Sequence, residues 1–279
     1  MVNLPKNAVT EALSDAVLAA MTGAAGAEIL PRWRSLSANE IRTKEHEWDL
    51  VTDADVEAEK LLTVALRDLL DITVVGEEAT AANPALLDEV GTGKPCWVVD
   101  PVDGTRNFVD GKETFACMIA LIDGGRTQAA WITYPTNGSE IHAARGVGAF
   151  LNGTPQATPA PPRPDALRGA ISALFAGKGT DDAILEQAST LGPAAPIRFC
   201  AGWDYLDIVT GRTDYTTFSR TLPWDHAPGA LIAIEAGLRS AHFDGSEYLP
   251  GDGRPGILTA HPSVWQRVSD TVAPVLETP

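Results

Sequence analysis

The residues best suited to chemistry in this chain are acidic, and they occur in four short clusters. The clusters are DLVTDAD at 49–55, VVGEEAT at 74–80, VVDPVDGTRNF at 98–108 and PWDHAPG at 223–229. In three of them an apolar run, typical of a strand, leads into carboxylates at its end. Carboxylates from separate parts of the sequence can therefore contribute to one site.

The cluster at 98–108 contains the most specialised backbone. Asp100 and Asp103 bracket Pro101 and are followed directly by Gly104 and Thr105. Proline fixes the turn, and glycine lets the backbone come close to a ligand. If a helix begins here, the N–H groups of Gly104 and Thr105 face the same point as the two carboxylates. Carboxylates alone would repel a phosphate, so the combination favours a metal ion between acid and phosphate.

Oxygen ligands of this kind suit Mg²⁺, which takes one or two protein carboxylates and completes its shell with water and phosphate. Adding Glu77 and Asp225 gives four carboxylates, enough for two or three Mg²⁺ ions and two-metal hydrolysis. Taken alone, the other clusters have ordinary interpretations. The segment 49–55 and Asp225 could each cap a helix, and Glu77 could lie in a solvated loop.

Composition excludes several other classes of protein. The chain of 279 residues has a net charge of −16, which argues against a partner that is nucleic acid or an anionic membrane. It has no P-loop, HExxH or GxSxG motif. Cys96, Cys117 and Cys200 form no CxxC pair, and no apolar stretch reaches the ~20 residues of a membrane helix. We expect a soluble protein in the cytoplasm.

The N-terminal part is predicted to contain helices and a mostly antiparallel sheet. Apolar spacing predicts a helix over 9–30 that Pro31 ends, an exposed loop over 32–49, and a helix from about Ala54 capped by Thr52 or Asp53. Strands are predicted at 72–78 and 96–104, a hairpin at 115–135 and a short meander at 139–153. This α+β part, residues 1–154, carries most of the candidate metal ligands.

The proline-rich segment 155–166 is the predicted boundary between the two parts. Beyond it the pattern predicts a strand at 169–176, a helix at 181–191, a strand near Ile197 and a helix at 203–211. A strand at 215–218 and a helix from about Ala227 follow. Because strand and helix alternate, residues 155–279 are predicted to be an α/β part, which carries Asp225 and the residues that set substrate specificity.

Together these motifs resemble the inositol monophosphatase superfamily of Mg²⁺-dependent, lithium-sensitive phosphatases. The resemblance runs from Lys44 through GEE at 76–78, DPVDGTRNF and GVGAFLNG to PWDHAPGALIAIEAG. It implies an α/β fold of five layers, αβαβα, as in sugar phosphatases. It also implies hydrolysis of a small phosphate monoester by water without a phosphoenzyme, inhibition by Li⁺, and a homodimer.

The resemblance also implies a set of metal ligands. Glu77, Asp100 and the carbonyl of Val102 would hold a first ion. Asp100, Asp103 and Asp225 would hold a second, and Glu77 would hold a weaker third with water.

The family pattern assigns catalytic and substrate-binding roles as well. Glu77 and Thr105 would position and deprotonate the attacking water, and Asp55 would orient Thr105 by a hydrogen bond. The N–H groups of Gly104 and Thr105 would bind the phosphate. The residues implied to bind substrate are Asp103, Gly104, Thr105, Ala201, Phe218 and Arg220.

Two departures leave the substrate open. Inositol-hydrolysing members have an acid seven positions before the last metal aspartate to bind ring hydroxyls, and here that position is Phe218. Arg220 suggests a substrate with a second negative group, and FCAGWDYL differs from the inositol-type GTAA stretch and resembles histidinol-phosphate phosphatases. Inositol monophosphate, histidinol phosphate, a sugar bisphosphate and a 3′-phosphonucleotide all remain candidates. A non-catalytic metal-binding homologue is the alternative from another class.

Overall fold

The first part of the chain folds as helices against one large sheet. The computed structural model describes residues 9–44, 50–172, 178–193 and 197–276. In chain order the elements are α1 (Glu11–Ala24), β1 (Ile41–Thr43), β2 (Leu50–Thr52), α2 (Asp53–Leu69), β3 (Thr73–Gly76), α3 (Glu77–Ala82), α4 (Asp88–Gly91), β4 (Cys96–Asp103), α5 (Thr105–Val109), β5 (Ala116–Asp123), β6 (Arg126–Tyr134), β7 (Ser139–Ala144), β8 (Gly148–Leu151) and β9 (Thr154–Pro155).

The large sheet has the order β3-β4-β5-β6-β7-β8-β9. Only the β3–β4 pair within it is parallel, so the predicted, mostly antiparallel sheet is confirmed. The predicted first helix is also confirmed. Thr10 caps α1 by accepting the Leu13 N–H at 3.1 Å, and a π-helical turn, Ala25–Ile29, follows it.

The predicted exposed loop over 32–49 is wrong in part. Ala38–Glu40 forms a 3₁₀ turn, and β1 pairs antiparallel with β2, with Ile41 opposite Thr52. The polar residues of β1 give no alternating apolar pattern, so its pairing with β2 could not be predicted locally. Residues 45–49 of the predicted loop lie outside the described residues.

The second part forms a smaller mixed sheet with helices. Its elements are β10 (Gly169–Ser172), α6 (Lys178–Ser189), α7 (Ala201–Val209), β11 (Tyr215–Phe218), α8 (Pro223–Glu235), β12 (Arg239–Ala241), β13 (Ile257–Ala260) and α9 (Pro262–Leu276). The sheet order is β10-β11-β13-β12, with β10 and β11 parallel and the other pairs antiparallel.

Two predicted elements of this part differ from the structure. No strand includes Ile197, since 197–200 has no regular structure. Helix α8 begins at Pro223 rather than near Ala227, because proline at the first helical turn lacks only an N–H that has no intrahelical partner there. The predicted strand at 169–176 is described only to Ser172.

Three core clusters stack these elements into five layers. One packs α1 and α2 against the large sheet, a second packs α7 and α8 against its opposite face, and a third packs α6 and α9 against the smaller sheet. Helix α8 also contacts β12, and α7 contacts β11. The order helix, sheet, helix, sheet, helix confirms the predicted layered α/β fold.

Candidate active site

A cavity of about 580 Å³ lies where the ends of β3 and β4 meet the first turns of α7 and α8. Nearly all the predicted site residues line it, although they come from distant parts of the sequence. These residues are Glu77, Asp100, Val102, Asp103, Gly104, Thr105, Ala201, Phe218, Arg220 and Asp225. Asp55 alone among the predicted residues is not on the wall, and it lies behind Thr105.

The irregular end of β4 places both of its carboxylates, Asp100 and Asp103, at the cavity. The β4–β5 register shifts between Asp100 and Asp103, and Asp100 Oδ1 accepts the Val102 N–H at 3.0 Å. Gly104 then has a φ of 86°, and a Cβ on it would lie 3.0 Å from the Cβ of Cys200. Only glycine fits this left-handed position without strain.

Thr105 is tied to the buried Asp55. Its Oγ1 lies 3.1 Å from Asp55 Oδ1 and 3.0 Å from the Val102 carbonyl, so the predicted Asp55–Thr105 hydrogen bond is present. The other oxygen of Asp55 accepts the N–H and hydroxyl of Thr52, which caps α2. Burial raises the pKa of Asp55 to about 6, although the hydrogen bonds from Thr52 act to lower it.

Glu77 is paired with a lysine. The Nζ of Lys44 lies 2.7 Å from Glu77 Oε1 and 2.7 Å from Glu78 Oε1. Burial opposes the charge on Lys44, but the two carboxylates outweigh it and raise the pKa of the ammonium group. Burial and the charge on Glu77 raise the pKa of Glu78 to about 8. Lys44 therefore compensates part of the negative charge at this side of the cavity.

Glu59, which was not among the predicted site residues, holds the segment that carries Glu77. Glu59 accepts the N–H groups of Glu78 and Ala79, both at 2.8 Å, at the start of α3. A Cβ on Gly76 would lie 2.2 Å from Glu59 Cδ, so the glycine of the GEE motif is needed for this contact. The available signal was the i, i+4 spacing of Asp55 and Glu59, which places two acids on one face of α2.

Asp103 is held by the first residues of α7. Its Oδ1 accepts the Ala201 N–H at 3.1 Å, and its Oδ2 accepts the Gly202 N–H at 2.6 Å and the Cys200 thiol at 2.9 Å. Burial raises the pKa of Asp103, while these hydrogen bonds lower it. Since a carboxylate offers about four acceptor positions, one remains for a metal ion.

The remaining carboxylates repel one another. Removal from bulk water raises the pKa values of Asp100 and Asp225, and the charges of Glu77 and Asp103 raise them further. Arg220 acts in the opposite direction on Asp225. Lys44 and Arg220 therefore offset part of the negative charge of Glu77 and Asp225. The cavity wall that carries the four carboxylates still has an excess of negative charge.

These residues fit a hard metal ion. Within the described parts of the chain, no group of three or more His, Cys, Asp or Glu side chains is placed so that it could hold a metal ion by itself. Mg²⁺ needs only one or two carboxylates for each ion, and the donors facing the cavity are oxygens. An excess of negative charge among oxygen donors is the chemistry that favours such a cation.

Several apolar and aromatic side chains also line the cavity. Phe218 is buried in β11, with its ring centroid 4.5 Å from that of His226 and 5.2 Å from that of Tyr205. The lining residues that were not predicted are Leu50, Arg106, Asn107, Lys112, Ile197, Phe199, Cys200, Asp204, Leu222, Trp224 and His226. The Trp224 indole nitrogen has no hydrogen-bond partner among the described residues.

Known proteins resemble this chain in sequence. The profile of the inositol monophosphatase family matches residues 10–274. The chain is 28% identical over 235 residues to the inositol-1-monophosphatase of Bacillus subtilis, covering 82% of this chain and 85% of that protein. It is 32% identical over 196 residues to a histidinol-phosphatase of Chlorobaculum parvum, covering 67% and 70%.

A solved structure shows the same fold. Inositol monophosphatase II of Staphylococcus aureus superposes with a TM-score of 0.81 at 23% identity, covering 96% of this chain and 98% of that one. Fold and sequence together define a phosphoric monoester hydrolase. The chain belongs to the inositol monophosphatase family. The described chain has no helix with the length and apolar character needed to cross a membrane.

Proposed function

We propose that the protein hydrolyses a small phosphate monoester with Mg²⁺, in the manner of an inositol monophosphatase. The observation that supports this most is the convergence of Glu77, Asp100, Asp103 and Asp225 on one cavity, beside Thr105. Four carboxylates that line one cavity are costly without a cation. A divalent cation bound among them would relieve that repulsion, and its positive charge would also attract the phosphate.

The proposed metal ligands are Glu77, Asp100, Asp103, Asp225 and the carbonyl of Val102. When bound there, two or three Mg²⁺ ions supply charge neutralisation and activate water for in-line displacement.

The chain's own residues would then direct the water and the phosphate. Glu77 accepts a hydrogen bond from the attacking water. The Thr105 hydroxyl donates a hydrogen bond to Asp55 Oδ1, 3.1 Å away. A lone pair of Thr105 Oγ1 is then free to accept a hydrogen bond from the attacking water. The N–H groups of Gly104 and Thr105 orient the phosphate, and the alcohol lies toward Ala201, Phe218 and Arg220. No covalent phosphoenzyme forms, and the products are the alcohol and inorganic phosphate.

Histidinol phosphate is the second candidate substrate. Phe218 cannot accept hydrogen bonds from ring hydroxyls, and a histidinol-phosphatase is among the relatives. Phosphate release should be measured with and without Mg²⁺ on inositol 1-phosphate, histidinol phosphate, fructose 1,6-bisphosphate and 3′-phosphoadenosine 5′-phosphate. Mg²⁺-dependent release that Asp100→Asn abolishes supports the proposal. No release from any compound would refute it and favour a non-catalytic homologue.

Four further properties belong to the same proposal. We infer a cytoplasmic location from three buried free cysteines, inhibition by Li⁺, and a homodimer, the last two from the family resemblance. The division into parts 1–154 and 155–279 is supported by the presence of two sheets, although Pro155 still pairs with Phe150 in the large sheet. Light scattering after gel filtration tests the dimer, and a Li⁺ titration of phosphate release tests the inhibition.

A further inference from the structure

Phe199, at the wall of the cavity, has an unusual backbone. Its φ is 53°, in the left-handed region that glycine adopts readily and a bulky residue rarely does. Its side chain is 53% exposed and lines the cavity directly before α7. An exposed aromatic ring on a strained backbone gains little from burial, so packing alone does not explain its position. Strained backbone conformations of this kind are concentrated at ligand-binding sites in proteins.

A buried amide holds Phe199 in this conformation. Asn107 is 2% exposed, and its Nδ2 lies 2.7 Å from the Thr114 carbonyl, 2.8 Å from the Arg198 carbonyl and 3.3 Å from the Phe199 carbonyl. Gly104 also leaves room for Phe199, because a Cβ there would lie 3.2 Å from the Phe199 carbonyl. The β4–α5 turn and the start of α7 therefore fix this backbone together.

The Phe199 ring is available to a ligand. In the described chain it makes no ring–ring contact, whereas the ring of Phe218, which also lines the cavity, packs at a tilt against Tyr205 and His226. Ile197 and Leu222 add further apolar surface to the cavity. Asp204 is an acid on this wall, but its Oδ1 already accepts the Arg198 N–H at 3.1 Å. The wall thus offers an aromatic face and few acceptors for the hydroxyls of a polyol.

We propose that Phe199 is a specificity residue that stacks on a planar aromatic ring carried by the alcohol of the substrate. This rests on the proposed phosphatase function and narrows its substrate class to esters of ring-bearing alcohols. A nucleoside or an imidazole side chain supplies the same chemistry. An aromatic face binds any such ring without selecting its hydrogen-bonding pattern.

The test compares esters that differ only in the ring. Adenosine 2′-monophosphate is compared with methyl riboside 2-phosphate, which lacks the base, and histidinol phosphate with a 2-aminobutyl phosphate that lacks the imidazole. The variants are Phe199→Gly and Phe199→Asn, since both residues tolerate the left-handed backbone and neither has a ring. Leu185→Ala, an exposed apolar residue on α6 that does not line the cavity, is the matched control.

For the wild type we expect kcat/KM to be about 5- to 30-fold higher for the ring-bearing ester of at least one pair. Both Phe199 variants should reduce that preference to less than about 2-fold, whereas Leu185→Ala should preserve it. The pair that shows the preference identifies the kind of ring. Equal rates within both pairs in the wild type, or a preference that persists in both Phe199 variants, would overturn the proposal.

Failure of the phosphatase function has a different signature. In that case none of the esters, inositol 1-phosphate included, releases phosphate with Mg²⁺. Calorimetric titration of the same pairs then decides the stacking proposal. Tighter binding of the ring-bearing ester by the wild type, lost in Phe199→Gly, supports it, and equal dissociation constants overturn it.

Discussion

Replacing one buried carboxylate should have opposite effects on stability with and without metal. In Asp100→Asn, the Asn oxygen still accepts the Val102 N–H, so the β4 turn is kept. The substitution removes one negative charge from a group in which Glu77, Asp103 and Asp225 all raise the pKa of Asp100. Each unit by which the folded state raises a carboxyl pKa costs about 1.4 kcal/mol once the pH is above both pKa values.

In EDTA at pH 7.5 we therefore expect Asp100→Asn to be more stable than the wild type. A gain of about 1.4 kcal/mol corresponds to about 3 °C in Tm for a domain of this size. Saturating Mg²⁺ at about 100 times its Kd adds about 2.7 kcal/mol, or about 5 °C, to the wild type only. The order of the two melting temperatures should reverse when metal is added.

Differential scanning calorimetry in EDTA and in Mg²⁺ measures this reversal. Asp71→Asn is the control, since Asp71 is exposed and lies outside the cavity. This variant should have the melting temperature of the wild type both in EDTA and in Mg²⁺. If Asp100→Asn melts below the wild type in EDTA, the carboxylates do not repel one another as argued. If Mg²⁺ stabilises both proteins equally, Asp100 is not a ligand.

Three further substitutions test neighbouring contacts. Thr105→Val removes the hydroxyl next to Asp55 and should lower kcat at least about 100-fold, measured by phosphate release, while Thr105→Ser keeps most of it. Glu59→Gln leaves one acceptor for two N–H groups at the start of α3 and should lower the free energy of unfolding by about 1 to 3 kcal/mol in urea. Asp204→Asn should stabilise the protein at pH 8 but not at pH 4, because burial raises the Asp204 pKa to about 7.

The sign of the last prediction follows from the direction of the shift. A raised carboxyl pKa makes ionisation less favourable in the folded state, so the wild type loses stability as the pH rises from about 4 to about 7. Equal urea midpoints for Asp204→Asn and the wild type at pH 8 would contradict this. For Thr105→Val an unchanged kcat would contradict the role of the hydroxyl, and for Glu59→Gln an unchanged urea midpoint would show that α3 does not depend on Glu59.

The sequence allowed prediction wherever structure and chemistry are local. Strands β3 to β8 have apolar runs with glycine turns such as Gly124-Gly125, and the 100–105 motif carries its own turn. Strands β12 and β13 are three and four residues long, too short for a reliable pattern. Helix α9 was missed although Val264, Val268 and Val272 have helical spacing and are all buried.

The parts of the site that could not be predicted depend on contacts between distant residues. Asn107 and Arg198 are 91 residues apart, and no local pattern indicates that the first fixes the backbone after the second. The left-handed conformation of Phe199 is equally invisible in the sequence, because a phenylalanine gives no signal for it. Such positions are decided by how the two parts of the chain pack.

The far edge of the large sheet limits how copies of this protein can associate. Strand β9 has two residues and ends in Pro155, which has no N–H to offer to an added strand. Pro159, Pro161 and Pro162 follow closely. An edge this short and proline-rich gives an incoming chain almost no backbone to pair with. We therefore do not expect a second copy to extend the sheet at this edge. The prolines that connect the two parts of the chain thus also oppose growth of a fibre through β9.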